Sequence, residues 1–171
     1  MKIIYHCYGG THSSVTAAGI HLGLLPRDRV PGPRELLDQS LFDRQKVDDL
    51  GRICRVGRDK MGNEIYVVGR RSRPNLLYNV TSGLSGLIGM DRDGLLLVDV
   101  SSYVNSSMKA GGFMSRRLGL VRLGRPIVTW GTLRNYEKLV AVVEEVFTKI
   151  KHWPGAKGGG AIQIKNPEAV Y

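Results

Sequence analysis

Residues 2–14 read KIIYHCYGGTHSS and predict a strand, a glycine turn and the start of a helix, in that order. The segment from Lys2 to Tyr8 is rich in β-forming residues, which is typical of a strand. Gly9 and Gly10 permit a tight turn after it. An apolar pattern with helical spacing follows and stops at Pro26. A strand that passes through a glycine turn into a helix is the usual opening of an α/β domain.

Further helices and strands are expected to alternate along the rest of the chain. The helices are predicted over residues 35–50, 74–90, 105–118 and 136–150, and the strands over residues 51–56, 64–69, 94–100 and 125–130. The apolar run within residues 94–100 is typical of a central parallel strand that is covered on both faces. The predicted fold is therefore α/β, a three-layer α/β/α sandwich with a mostly parallel sheet, P-loop- or Rossmann-like, and with an inserted basic β-hairpin over residues 51–69.

The composition excludes several classes of protein. Hydrophobic residues make up 42% of the 171 residues, enough for a core, which argues against wholesale disorder. No apolar run approaches the roughly 18 residues of a membrane span, and the N-terminus lacks the apolar stretch of a secretory signal. The two cysteines, Cys7 and Cys54, provide no disulfide framework, so a cytoplasmic location is expected. We expect a single α/β domain over residues 1–152 and a glycine-rich C-terminal tail over residues 153–171.

Positive charge is abundant and unevenly distributed. The chain has 25 basic and 15 acidic residues, a net charge of +10. Residues 51–73 contain seven basic and two acidic side chains, and residues 100–134 contain six basic side chains and no acid. This pattern indicates a polyanionic partner, although a basic surface that serves only solubility explains it equally well.

The glycine turn has the ingredients of a phosphate cradle. Ligands of open α/β sheets bind beyond the carboxyl ends of the strands, where helix N-termini present free N–H groups. The candidate phosphate-binding residues are Gly9, Gly10, Thr11, Ser13, Ser14 and Thr16. Compared with the pattern G-x-x-x-x-G-K-[ST], Gly9 and Thr16 match, but Ser14 replaces the second glycine and Val15 replaces the lysine. The alternative is a tight turn without a ligand, in which Ser13 or Ser14 caps the helix.

Other loops are expected to complete the same pocket. One group lies at the end of the apolar strand and consists of Asp99, Ser101 and Ser102. Another predicted strand is followed by Thr132, which is expected to be the N-cap of the last helix. These four residues are expected to form the second wall of the pocket. Thr16 and Asp99 are candidates to hold Mg²⁺, the possible cofactor, if the loop binds nucleotide phosphates. An arginine such as Arg116 or Arg117 could replace the absent lysine. Phosphoryl transfer or phosphate-ester hydrolysis is the reaction class that such a site suggests.

Two side chains near the turn are candidates for catalysis. His12 lies in the turn, where it could donate to an anion or act as a general acid or base. Cys7 ends the first strand before a helix N-terminus, the position of the nucleophile in small cysteine phosphatases, but those enzymes have an arginine six positions later and this chain has Ser13. A buried core thiol is the alternative for Cys7, because strand alternation places it on one face with Ile3 and Tyr5.

A second hypothesis assigns nucleic-acid binding, above all RNA binding, to the basic hairpin. Its candidate residues are Arg52, Arg55, Arg58, Arg70, Arg71 and Arg73. A two-stranded basic ribbon can lie along a phosphate backbone. Only Tyr66 offers an aromatic ring for base stacking, so a solvated basic face or a subunit contact is an open alternative. The oligomeric state stays open as well.

The opening motif also resembles a known family. Residues 5–14, followed by Ala17-Ala18 and His21-Leu22-Gly23, are similar to an uncharacterised family from spore-forming Firmicutes that is catalogued as a domain of unknown function (DUF3189-like). The resemblance runs over about the first 150 residues. It implies a bacterial cytoplasmic protein and assigns no activity and no catalytic residue.

Overall fold

The computed structural model describes residues 1–45, 47–73, 75–88, 94–153 and 162–164. In these residues five strands form one sheet with the order β2-β3-β1-β4-β5: β1 Lys2–Cys7, β2 Cys54–Arg58, β3 Glu64–Gly69, β4 Leu95–Asp99 and β5 Ile162–Ile164. Strands β3 and β4 run parallel to the central β1, β5 runs parallel to β4, and β2 is antiparallel to β3. The α/β class with a mixed, mostly parallel sheet is confirmed.

Six α-helices accompany these strands in the described residues: α1 Ser13–His21, α2 Pro33–Leu37, α3 Leu76–Ile88, α4 Ser106–Gly112, α5 Val121–Arg134 and α6 Tyr136–Lys151. A π-helical turn, Phe113–Arg117, joins α4 to α5, and the three together are called the α4–α5 hairpin below. The side chain of Asn105 caps α4 by accepting a hydrogen bond from the Met108 N–H at 2.9 Å. None of the described helices is long and apolar enough to cross a membrane.

The two faces of β1 pack against different helices. Ile3, Tyr5 and Cys7 are buried on the face that contacts α1 and α6. Ile4 lies on the opposite face, in a smaller apolar cluster that includes Leu77 of α3. This alternation follows from the period of two in a strand, and it places the carboxyl ends of β3, β1 and β4 side by side at one edge of the sheet.

Two predictions about helices were wrong. Of the helix predicted over residues 35–50, only Pro33–Leu37 forms as an α-helix in the described residues, and turns and a short 3-10 helix, Val47–Asp49, follow it there; residue 46 lies outside the described part of the chain. Asp43 has a φ of 51° in the left-handed region, which no α-helix accommodates. Helix α1 ends at His21, because Gly23 adopts a φ of 72°, and does not continue to Leu25.

The strand predicted over residues 125–130 is instead the middle of α5. The β-branched run in this segment suggested a strand, but its buried side has helical spacing, at Gly124, Val128 and Thr132. The close packing of α4 against α5 requires glycine at position 111, because a Cβ on Gly111 would lie 2.5 Å from the Val128 nitrogen. Thr132 is therefore not a helix N-cap; its hydroxyl donates to the Val128 carbonyl at 2.8 Å inside α5.

The predicted hairpin exists, but it is part of the main sheet. β2 and β3 pair in antiparallel fashion, and β3 also pairs along its whole length with β1. Ile65, Val67 and Val68 are buried, which explains why β3 belongs to the sheet interior. Of the segment predicted as a tail, residues 162–164 add the edge strand β5, and residues 154–161 and 165–171 lie outside the described part of the chain.

Candidate functional site

The glycine turn after β1 packs tightly against the end of β3. Gly10 has a φ of 70°, and a Cβ at this position would collide with the backbone of Gly69 and lie 2.8 Å from the Val68 carbonyl carbon. A Cβ on Gly69 would in turn lie 2.7 Å from the backbone of Gly9. The close approach of two chain segments therefore explains both the bare backbone of the turn and the glycine that ends β3.

Most of the polar groups around the turn bond to neighbouring groups of the protein. The hydroxyl of Thr11 donates to the Leu41 carbonyl at 3.1 Å, and that of Thr16 donates to the His12 carbonyl at 2.9 Å. The hydroxyl of Ser14 lies 3.4 Å from Cys7 Sγ, which also accepts the Gly10 N–H at 3.2 Å. Cys7 is only 3% exposed. Its burial agrees with the core-thiol alternative.

Ser13 differs from the other hydroxyl residues of the turn. It is the first residue of α1 and is fully buried. Its Oγ has no hydrogen-bond partner among the described residues. A buried hydroxyl without a hydrogen-bond partner lowers the stability of the folded protein. The Ser13 hydroxyl at the start of α1 therefore has an unfilled capacity for a hydrogen bond.

His12 is held between the turn and the α4–α5 hairpin. Its Nε2 lies 3.0 Å from Oδ1 of Asp43, and its ring meets the edge of Phe42 at a centroid distance of 5.4 Å. A Cβ on Gly112 would lie 3.0 Å from His12 Cε1, so a glycine at 112 allows α4 to approach the imidazole. The side chain of His12 is 13% exposed, so it stays in contact with solvent.

Asp43 is the centre of a group of side chains that the sequence analysis did not foresee. The group, called the Asp43 cluster, consists of Asp43, His12, Ser115, Arg116 and Arg125. Ser115 Oγ donates to Asp43 Oδ2 at 2.7 Å, Arg125 Nε donates to the same oxygen at 3.0 Å, and Arg116 Nε lies 3.1 Å from Oδ1. Arg116 had been named only as a possible substitute for the absent lysine, and no pattern in the sequence singled out Asp43 or Arg125.

The electrostatics of the cluster favour an ionised carboxylate and leave an excess of positive charge. Burial alone would raise the pKa of Asp43, but hydrogen bonds from His12, Ser115 and Arg125 outweigh it and lower the pKa to about 2. Two guanidinium groups therefore share one carboxylate. The side chains of Arg116 and Arg125 are 20% and 38% exposed, so both reach solvent at the mouth of the cluster.

A second polar cluster lies at the carboxyl edge of β3, β1 and β4, on the sheet face opposite α1. Arg70 Nη2 donates to Asp99 Oδ2 at 2.7 Å and to Ser101 Oγ at 2.8 Å, and Arg70 Nε donates to His6 Nδ1 at 3.0 Å. Burial lowers the pKa of His6 to about 4, so the imidazole is neutral and its hydrogen is on Nε2. That Nε2 has no partner among the described residues. Burial would raise the pKa of Asp99, but interactions with His6, Ser101 and Arg70 outweigh it and lower that pKa.

The structure does not bring the predicted second wall together with the glycine turn. Asp99 and Ser101 belong to the second polar cluster, around Arg70, on the other face of the sheet, and Ser102 is exposed in the short helical turn that follows. Thr132 is buried inside α5. The proposed Mg²⁺ pair is also separated, because the hydroxyl of Thr16 bonds to His12 and the carboxylate of Asp99 bonds to Arg70. Within the described part of the chain, no group of three or more His, Cys, Asp or Glu side chains could hold a metal ion.

Of the six arginines of the nucleic-acid hypothesis, five are exposed and three of these lie near an acidic side chain. Arg55 and Arg58 lie 3.3 and 3.6 Å from the Glu64 carboxylate. Arg52 lies 3.4 Å from Asp49, and Arg70 is buried. Arg71 and Arg73 are exposed.

Comparison with known proteins identifies a family and gives no activity. Neither the curated proteins nor the solved structures include a match to the chain. The sequence profile of one family, described as Protein of unknown function (DUF3189), matches residues 2–148. That match covers most of the chain and confirms the resemblance of the opening motif, so the chain belongs to the DUF3189 family.

Proposed function

We propose that the protein binds a phosphorylated small molecule, with the phosphate at the Asp43 cluster between the glycine turn and the α4–α5 hairpin. The observation that carries the proposal is the convergence of Arg116 and Arg125 on the single buried carboxylate of Asp43. One carboxylate neutralises only one of the two guanidinium groups. An anion at the mouth of the cluster would neutralise the other.

The donors needed for an anion are available. Arg125 Nε donates to Asp43 Oδ2, and Arg116 Nε donates to Ser115 Oγ at 3.3 Å while it lies 3.1 Å from Asp43 Oδ1. The Nη1 groups of both arginines make no hydrogen bond to another described residue. A guanidinium that is anchored through Nε presents its outer N–H groups in a fixed orientation, which suits the bidentate recognition of phosphate. Asp43 would thus position the two arginines in advance of binding.

The start of α1 supports the same location. Helix α1 follows His12 directly, so its N-terminus begins at a member of the cluster. A helix N-terminus attracts negative charge through its free N–H groups and its dipole. In this proposal Gly9, Gly10, Thr11, Ser14 and Thr16 shape the turn that carries the N-terminus of α1.

The chemistry that the site favours is proton transfer by His12. Its Nε2 is bound to Asp43, which fixes the ring and leaves Nδ1 for a ligand. If the bound compound reacts, phosphoryl transfer or phosphate-ester hydrolysis is the class we propose, with His12 as the acid or base. Mg²⁺ would enter with the phosphates of the ligand, because Thr16 and Asp99 are engaged elsewhere.

Two finer assignments belong with this proposal. A three-layer sandwich of the P-loop or Rossmann type is supported by the central β1 between two parallel strands, with α1 and α6 on one face and Leu77 of α3 on the other. A cytoplasmic setting is supported by the cysteine content. RNA binding through the exposed arginines of the hairpin is the rival function.

A thermal-shift screen tests the proposal against its rival. The ligands are inorganic phosphate, pyrophosphate, ATP and GTP with and without Mg²⁺, and a short RNA. A ligand at about a hundred times its dissociation constant stabilises the native state by about 2.7 kcal/mol, a shift of several degrees. We expect a shift with a small phosphate compound that is lost in R116Q and R125Q and kept in the matched hairpin double variant R55Q/R58Q. A shift with RNA alone, lost in R55Q/R58Q, would overturn the proposal.

Loss of an arginine near a buried carboxylate can also destabilise the fold, so each variant needs its own melting curve without ligand. R125K keeps the charge beside Asp43 but removes the planar fork. Weaker phosphate binding in R125K at an unchanged melting temperature would support a direct contact between Arg125 and the anion. Unchanged phosphate binding in R116Q, R125Q and R125K would count against the cluster as the phosphate site.

A further inference from the structure

A groove between α2 and α5 lies next to the Asp43 cluster. Its volume is about 410 Å³, within the range of pockets that hold small ligands. Pro33 and Leu37 of α2 form one side, and Val121 and Pro126 of α5 contribute to the other. Proline and aliphatic side chains give these walls an apolar surface, which suits a rigid, flat group better than a hydrated sugar.

An aromatic residue stands at the rim of the groove. Trp130 of α5 lines it, and this large side chain is 55% exposed. The Arg134 guanidinium lies over the indole ring, 5.5 Å from its centre. An exposed indole next to an apolar groove is a stacking surface for another ring.

The charge of the groove is positive. Arg122 and Arg125 line it, and none of the described residues that line it is acidic. Arg125 also donates to Asp43, so one arginine belongs both to the groove and to the proposed phosphate site. A ligand with an anionic head at Arg125 would therefore have its body in the groove. This charge complementarity excludes a cationic occupant and favours a phosphorylated one.

We propose that this groove holds the base of a nucleotide, stacked on Trp130, while the phosphate lies at the Asp43 cluster. The inference rests on the proposed phosphate site and names its ligand class: a nucleotide rather than a sugar phosphate or an inorganic anion. Trp130 recognises the face of the base, and Arg122 and Arg125 join the two parts of the site.

Calorimetric titration separates the two parts. Pyrophosphate tests the phosphate site alone, ribose 5-phosphate adds a sugar, and AMP, GMP, UMP and CMP add a base. We expect at least one of the four nucleotides to bind about tenfold tighter than ribose 5-phosphate, the order of magnitude of one stacked base. W130L should remove this difference and leave pyrophosphate binding unchanged.

The matched control is L123A, because Leu123 lies on the same helix, is 61% exposed and does not line the groove. The chain has two tryptophans, so a fluorescence change on nucleotide addition that disappears in W130L also locates the base. Equal binding of ribose 5-phosphate and all four nucleotides would overturn this inference and leave the phosphate site standing. Failure of every phosphate compound to bind would overturn the phosphate site itself, and this inference with it.

Discussion

Arg125 Nε donates to Asp43 Oδ2 at 3.0 Å across 82 positions of sequence. The contact ties the turn after α2 to the α4–α5 hairpin, and His12 of the glycine turn joins the same carboxylate from a third segment. Three distant segments thus meet at one buried charge. Asp43 lies at the centre of the proposed phosphate site. Its hydrogen bonds also help to hold the α4–α5 hairpin against the glycine turn.

Substitution D43N should destabilise the protein through the loss of this carboxylate. The amide cannot accept all the hydrogen bonds of the carboxylate, and Arg116 and Arg125 would face each other without a counter-charge. We expect a loss of about 1–3 kcal/mol in the free energy of unfolding, measured by urea denaturation. D28N, at an exposed aspartate, is the control and should stay within about 0.5 kcal/mol of the original protein.

Acid should remove the contribution of Asp43 in a defined range of pH. The pKa of Asp43 is about 2 in the folded protein and 3.8 in the unfolded chain, so the stabilisation is complete above pH 3.8 and is lost as the pH falls toward 2. We expect the difference in unfolding free energy between the original protein and D43N to shrink in that range. A difference that stayed constant down to pH 2 would contradict the ionic role of Asp43.

His6 should make the protein sensitive to milder acid. Its pKa falls from 6.5 in the unfolded chain to about 4 in the folded protein, so the unfolded state binds the proton first. Stability is therefore greatest above pH 6.5 and declines as the pH falls toward 4, by up to about 1.4 kcal/mol per pH unit for one proton. H6Q should flatten this part of the pH dependence. H152Q, at an exposed histidine, should leave it unchanged.

The glycine turn offers a test with a matched pair of positions. Gly10 and Gly23 have nearly the same backbone angle, φ 70° and 72°, but only a Cβ at Gly10 would meet other atoms. G23A should cost about 1–2 kcal/mol in unfolding free energy, the penalty of the left-handed backbone. G10A should cost about 1–3 kcal/mol more, because the turn must also move away from Gly69. Equal losses of unfolding free energy in G10A and G23A would show that the close contact between Gly10 and β3 does not contribute to the cost of the substitution.

Several of the strands were predictable as elements, because local patterns carried the signal, whereas their order in the sheet was not predicted. The β-rich opening and the apolar run of β4 formed as parallel neighbours, and the even helical spacing of α6 formed as expected. Strand β3 was recognised as half of a hairpin, but its pairing with β1 depends on contacts far apart in sequence. Hydrophobic periodicity gives an element and does not give its neighbour.

Only part of the candidate site was visible in the sequence, for a physical reason. The glycine turn and His12 stood out because the backbone freedom of glycine and the acid–base character of histidine are properties of the residues themselves. Asp43 lies in a segment with a helical pattern, and its left-handed backbone is stabilised by the Thr11 carbonyl, which accepts its N–H at 3.1 Å. Arg125 lies in a segment whose β-branched residues suggested a strand. Both errors come from local propensity that tertiary packing overrides.

Titration of pyrophosphate into the protein by calorimetry, at about 50 mM and about 200 mM salt, tests the account most directly. We predict one binding event in the original protein, with a heat signal that is lost in R125Q and retained in R55Q/R58Q. Binding that persists in R125Q and disappears in R55Q/R58Q would contradict the account, as would the absence of binding to the original protein at both salt concentrations.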